Sequence, residues 1–370
     1  MSIAIVGAGA AGLAAAHTLA CAGHAVACLE KSCGLGGRAA TRWHDDARGR
    51  RWRFDHGAQY FSADPGSPEG RLIAETLGSD GLVSVARPVW PFGNDGTLHP
   101  EDARDDGRPK WTYEAGAADL GRRLADASPG LVVHRQARVH ALAWEDEHWF
   151  LRLGAGRPAG MPGRLGPFEA LVLTPPAPQT ADLLAASAGF DAAPLVRALG
   201  AARYRRQFAL ALGFERVLER PGGSDGPYAL VNAPPGGEPP AHSVAWVAFE
   251  SDKPGRAPSG TTLLLAQMSD AWTAAHYDAP PDALVAAARM ALADVLGPLP
   301  EHAWANTQRW RYALPDTAAD ADALRRHAPP GLFFAGDALA GRGRVAAALA
   351  SGLAAAEHLL QHVSTLPHGS

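Results

Sequence analysis

Cysteine is scarce in this chain: Cys21, Cys28 and Cys33 are the only three in 370 residues. That excludes a disulfide framework and points to a reducing, cytoplasmic compartment. Long apolar runs are missing as well. No stretch approaches about 18 residues without a polar interruption, so a membrane-spanning helix is excluded. No basic region stands before Ile3, where an apolar strand begins at once, so a cleaved signal peptide is not expected. The charge balance is nearly even. A formal net charge of −4 at pH 7 argues against nucleic acid or an anionic membrane surface as a partner. No metal site is expected either. What remains is a soluble enzyme long enough for two packed units.

Glycine, by contrast, is plentiful at 41 residues, and the most telling ones open the chain. Residues 3–6 form a short apolar run suited to a buried parallel strand. Gly7-Ala8-Gly9-Ala10-Ala11-Gly12 follows, the Gly-x-Gly-x-x-Gly pattern that turns a strand into a helix around a pyrophosphate. Gly7 permits the tight turn, Gly9 lets the backbone approach the phosphates, and Gly12 lets helix and strand pack closely. The helix then offers free N–H groups and the positive end of its dipole to the anion. It reads through Leu13, Ala16 and Leu19 and stops at Gly23. A second strand over 25–29 ends in Glu30, 18 residues past Gly12, where a carboxylate can take the adenosine ribose hydroxyls. Gly7, Gly9, Ala11, Gly12 and Glu30 therefore predict a dinucleotide site.

Beyond this unit the pattern loosens. Prolines break residues 63–113, and an acidic run over 101–106 reads as a solvated loop. A helix is predicted over 115–127, strands over 131–134, 139–142, 148–153 and 170–173, and a Gly- and Pro-rich loop over 154–167. Further strands are predicted over 207–214, 243–250 and 262–268, and a helix with an apolar stripe over 282–296. Residues 331–337 read as a buried strand ending in Gly336-Asp337, followed by a helix over 345–360.

The stretch after Glu30 runs Lys31-Ser32, then Gly34-Leu35-Gly36-Gly37-Arg38, Thr41, and later Asp55-His56-Gly57-Ala58-Gln59-Tyr60-Phe61. Here the chain resembles the FAD-binding amine-oxidase superfamily, which continues the ribose acid into a Gly-Gly-Arg turn. More narrowly it resembles the bacterial renalase-like flavoproteins. That likeness runs through residues 56–63, Thr174-Pro175-Pro176-Ala177-Pro178-Gln179, Arg309-Trp310-Arg311-Tyr312-Ala313-Leu314-Pro315, Gly336-Asp337 and Gly343-Arg344-Val345, nearly the whole chain. The resemblance implies an α/β fold in which a Rossmann-like FAD-binding domain joins a second, mixed α+β substrate domain. It divides the chain into an FAD-binding domain of 1–62, 114–185 and 301–362, a substrate domain of 63–113 and 186–300, and a disordered tail over 363–370.

The same resemblance implies non-covalent FAD. Gly36, Gly37 and Arg38 would meet its pyrophosphate, with Lys31 beside the ribose acid. Val139 would touch the adenine through its backbone. His56, Gly57, Ala58, Gln59 and Thr174 would line the cofactor's course, and Gly336, Asp337, Arg344 and Val345 would close the flavin end. A charge on Arg344 near the flavin's pyrimidine edge suits the negative charge that grows there on reduction. Cys33, near the phosphate turn, reads as a small packing residue.

The implied chemistry is hydride transfer from a small planar substrate to the flavin, with electrons passed on to O2. Tyr60, Trp310 and Tyr312 are the candidate walls, the last two at i, i+2 on a strand and so on one face. Renalase-like members oxidise dihydro isomers of NAD(P)H, a reaction that yields hydrogen peroxide and needs no acid–base residue. A flavin amine oxidase is the alternative, but such enzymes keep a lysine near the flavin, and this chain has only Lys31, Lys110 and Lys253. A pathway-specific desaturase or oxidase, or an FAD-binding protein without turnover, also stays open. Tyr113, Glu250 and the run Ala346, Ala347 and Ala348 depart from the renalase pattern. The expected partners are a small-molecule substrate and O2, with the oligomeric state left open.

Overall fold

The computed structural model describes residues 1–103 and 107–365. Its first layer is a five-stranded parallel sheet in the order Leu332–Phe334, Ala170–Leu173, Ser2–Val6, Ala25–Leu29, Val132–His134. Strands covered on both faces must be apolar throughout, and Ile3, Ala4, Ile5, Leu171 and Val172 are all fully buried. One face carries the helix Ala10–Cys21 and the C-terminal helix Val345–Thr365. These two helices approach so closely that a Cβ on Gly352 would lie 2.1 Å from the Ala11 carbonyl oxygen. The alanine-rich makeup of both helices is what permits that approach. The other face is covered by the antiparallel sheet Val139–Glu145, His148–Leu153, Arg164–Phe168 and the helices Ala177–Ala185 and Ala193–Leu199.

A second, six-stranded sheet has the order Trp304–Pro315, Tyr204–Phe214, Thr262–Met268, Val244–Phe249, Ala229–Asn232, Val89–Phe92. It is antiparallel except for its last pair. Phe208, Leu210, Leu212, Val247 and Leu264 point to one side and bury the helix Pro281–Leu296. The opposite side receives a hairpin, Thr41–Asp45 and Arg51–Asp55, through Trp52 and Phe54 packed on Ala211, Leu263 and Leu265. The fold is thus α/β, with a Rossmann-like parallel sheet and a mixed substrate-domain sheet.

Several elements differ from the sequence expectations. Trp304–Pro315 lies within the stretch 301–362 grouped with the FAD-binding domain, yet it pairs with Tyr204–Phe214 in the six-stranded sheet. The hairpin before residue 56 also packs on that sheet while its chain neighbours form the parallel one. The helix expected over 115–127 is shorter, Asp119–Asp126, because Gly116 sits at φ +114°, outside the helical region. The C-terminal helix continues through Thr365, so residues 363–365 are helical, while 366–370 lie outside the described residues. Part of the acidic run, Pro100–Asp102, forms a helical turn, and 104–106 also lie outside them. No helix of the described residues is long and apolar enough to cross a membrane.

Candidate functional site

The first turn is built from steric necessity. Gly7 sits at φ +101°, a conformation that L side chains rarely adopt, and a Cβ on it would be 2.6 Å from Thr174 Oγ1. A Cβ on Gly12 would be 1.9 Å from the Gly7 carbonyl oxygen. Thr174 closes the strand end, its hydroxyl donating to the Val6 carbonyl (2.9 Å) with that of Gly7 also in reach (3.1 Å). Gly9 caps the helix Ala10–Cys21, and among the described residues no side chain bonds its N-terminus. The first-turn N–H groups are therefore left for an anion.

A second glycine turn lies against the first. Gly9 and Gly36 form a parallel bridge, and a Cβ on Gly37 would stand 3.1 Å from Gly9 Cα. On Gly9 itself a Cβ would meet nothing nearer than Gly37 Cα at 4.0 Å. Glu30 is buried beside them. Its carboxylate accepts the Ala8 N–H (2.9 Å) and the Ser32 N–H (2.7 Å), one on each oxygen. Each oxygen keeps a further acceptor site for a ribose hydroxyl. Two stacked backbone turns, an uncapped helix end and an acid with spare acceptors fit a dinucleotide. Lys31, next to this acid, is exposed and donates to Gln179 Oε1 (3.1 Å). Val139 begins a strand and packs on the core behind it, and Ala11 is buried under Gly352.

Arg38 and Asp337, 299 residues apart, form an ion pair of 2.6 Å, and Arg38 also donates to the Ala313 carbonyl (3.0 Å). Asp337 is buried and follows Gly336 at φ +128°. The Arg38 carbonyl accepts the Ala58 N–H, and a Cβ on Gly57 would lie 1.9 Å from that carbonyl oxygen. Residues 55–60 then meet the six-stranded sheet. Trp310 Nε1 donates to the His56 carbonyl (2.9 Å) and Gln267 Nε2 to the Gly57 carbonyl (2.6 Å). The buried His56 ring stands edge-on to Trp310 at 5.3 Å, and its Nδ1 has no partner among the described residues. Burial, helped by the Arg42 charge, lowers the His56 pKa to about 4, so the ring is neutral near pH 7. Gln59 donates to the Asp55 carbonyl, and its Oε1 accepts from Tyr228 (3.5 Å). Tyr60 stands near Tyr228 (6.5 Å) and Trp246 (6.1 Å).

Trp310 and Tyr312 have different neighbours. The strand bulges there, since Gln207 pairs with Trp310 and Arg205 with Leu314, a step of two residues facing a step of four. Trp310 contacts His56, whereas Tyr312 meets Tyr204 (5.7 Å), whose ring also lies 5.9 Å from the Arg38 guanidinium. Along this stretch Arg309 and Arg311 are exposed while Trp310 and Tyr312 are both half-buried. Arg344 is not drawn in either: it is exposed, and its guanidinium turns back on the Gly343 carbonyl (3.0 Å). A cation at a helix N-terminus faces the positive end of the dipole, which favours leaving it in water. Val345 starts that helix, partly buried against the core.

Gln267 and Tyr204 were not among the sequence candidates. Gln267 had a signal, as one polar residue near the end of the apolar run Leu263-Leu264-Leu265-Ala266. Also missed was a cluster of fully buried ions, Asp55, Glu250, Lys253 and Arg256. Two positions read as departures in the substrate pocket prove to be interior: Tyr113 is fully buried under Arg123, and Glu250 belongs to that ion cluster.

The parallel sheet, the double glycine turn and the buried ribose acid define a dinucleotide-binding protein. Residues 99–360 match the model of flavin containing amine oxidoreductases, and residues 5–75 that of the NAD(P)-binding Rossmann-like domain. The chain belongs to the flavin containing amine oxidoreductase family, and membership implies FAD. It shares its fold with a protein of Exiguobacterium sp. 255-15 provisionally assigned as a protoporphyrinogen oxidase, at 16% identity and TM-score 0.74, covering 97% of this chain and 99% of that one. A putrescine oxidase bound to putrescine is similar at 16% identity and TM-score 0.70, covering 98% and 99%. Cyclohexylamine oxidase from Brevibacterium oxydans IH-35A is similar at 14% and 0.68, covering 98% and 99%.

Proposed function

We propose that this protein is an FAD-dependent oxidase of a small planar substrate, with renalase-like oxidation of dihydro-NAD(P) isomers as its reaction. FAD, when bound, supplies a two-electron acceptor that takes a hydride from substrate carbon and passes the electrons to O2. Gly7, Gly9, Gly12, Gly36 and Gly37 would hold the pyrophosphate, Glu30 the ribose, and Arg38 with Asp337 the stretch toward the flavin. Trp310, Tyr60 and Tyr312 supply flat apolar surface near residues 56–60.

The observation that carries the substrate reading is where two of the three lysines, Lys253 and Lys31, sit. Lys253 is buried and bonded to Asp55 (3.1 Å) and Glu250 (2.7 Å), and Lys31 is bonded to Gln179. Neither is free to act beside a flavin. A dihydropyridine needs no such base, because its ring nitrogen expels the hydride unaided. Anaerobic mixing with 2- or 6-dihydro-NAD(P) is expected to bleach the flavin rapidly, while ordinary NAD(P)H and simple primary amines leave it yellow. Bleaching by amines alone would move the assignment to an amine oxidase, as the similarity to putrescine and cyclohexylamine oxidases allows.

The flavin is proposed to be held without a covalent bond. Cys28 is buried with its thiol toward the Gly7 carbonyl, and burial raises its pKa, so it is an inert packing group. Cys21 and Cys33 lie in the same N-terminal unit as the ribose acid, and three free thiols suit a reducing cytoplasm. Acid precipitation should release all the yellow colour to the supernatant; colour retained in the pellet would contradict this.

A further inference from the structure

Four ionisable side chains with no solvent contact meet where residues 55–60 join the six-stranded sheet. Lys253 Nζ lies 3.1 Å from Asp55 and 2.7 Å from Glu250, while Arg256 lies 2.7 Å from Asp55 and 3.6 Å from Glu250. Two positive and two negative groups leave the cluster neutral. Burial opposes the charge on Asp55, but Lys253, Arg256, Thr41 and the Ala117 N–H hold its pKa below the ordinary value. Removing ions from water costs more than their attraction commonly returns, and apolar substitutes are often as stable or more so. Stability alone therefore does not account for the cluster.

Its geometry shows what it grips. Glu250 Oε1 accepts the Asp55 N–H (3.0 Å), and the Asp55 carboxylate is held by Thr41 (2.6 Å), Ala117 N–H (3.0 Å), Lys253 and Arg256. Asp55 is thus fixed through both backbone and side chain. The next two residues present their carbonyls to Trp310 and Gln267, and Gly57 backs onto Arg38 with no room for a Cβ. Thr41 also takes the Ala118 N–H (3.0 Å), and Ala118 lies against Gly36. One cluster therefore ties the second glycine turn, residues 55–58 and the six-stranded sheet into one register.

We propose that Glu250 and Lys253 are positioning residues, which hold the backbone at 55–57 against the FAD site and thereby set flavin affinity and spectrum. The proposal rests on the reading of residues 56–59 as lining FAD. Two charge-balanced holoenzyme variants test it, Glu250→Gln/Lys253→Met and Glu250→Leu/Lys253→Met. Both remove one buried ion pair, a change that folds commonly tolerate. They differ at one point, since glutamine still accepts the Asp55 N–H and leucine does not. FAD affinity, the visible flavin spectrum and hydrogen–deuterium exchange over 55–60 are the readouts. The leucine variant is expected to bind FAD about tenfold more weakly, with shifted flavin bands and faster exchange confined to 55–60. The glutamine variant should stay near wild type in all three. Unchanged exchange in the leucine variant would overturn the proposal, because the cluster would then not hold the segment. Faster exchange with wild-type affinity and spectrum would overturn it differently, by showing that the segment does not line FAD.

Discussion

Glu30→Ala is expected to abolish stable FAD retention. The substitution orphans the Ala8 and Ser32 N–H groups in a buried site and removes the acceptor offered to the ribose. A buried donor left unpaired costs about 1–3 kcal/mol. Loss of the ribose bonds and of this ordered turn should together weaken FAD binding by about 100-fold or more. Titration of apoprotein with FAD, followed by flavin fluorescence quenching, measures this directly. Glu30→Gln, which keeps an oxygen acceptor but no charge, should fall between the two. Wild-type affinity in the alanine variant would place the ribose elsewhere.

Gly57→Ala is the second large effect. Its new Cβ would lie 1.9 Å from the Arg38 carbonyl oxygen and 3.0 Å from the carbonyl carbon, both backbone atoms that no rotamer change can move. Relief requires separating the Gly-Gly-Arg turn from residues 56–58, at a cost of about 1–3 kcal/mol or more by analogy with overpacked cores. That movement also pulls on the Arg38–Asp337 pair, so flavin occupancy and Tm should fall together. Gly34→Ala is the matched control, since a Cβ there would meet nothing within 4 Å. If Gly57→Ala purified with full flavin and an unchanged Tm, the tight packing of the two segments would be refuted.

The sequence alone was enough for the dinucleotide unit, because its constraints are local. Gly7, Gly9, Gly12 and Glu30 lie within one strand-turn-helix-strand unit, where Gly7 takes a positive φ, Gly12 backs onto the Gly7 carbonyl and Glu30 accepts the Ala8 and Ser32 N–H groups. The strands of the parallel sheet, the three apolar strands at 204–214, 244–249 and 262–268 of the second sheet and the helix Pro281–Leu296 were legible for a related reason, since their patterns follow from which faces are covered. Tertiary structure alone decided the rest. It paired Asp337 with Arg38 across 299 residues and left Arg344 exposed at a helix start. It assigned Trp304–Pro315 to the six-stranded sheet and put a bulge between Trp310 and Leu314, a register change that spacing does not record. Glu250 reads in sequence as the end of the strand over 243–250, and nothing local marks Lys253 and Arg256 as its partners. They become a buried cluster because a hairpin about 200 residues away lowers Asp55 onto them, a pairing of charges that no local pattern records.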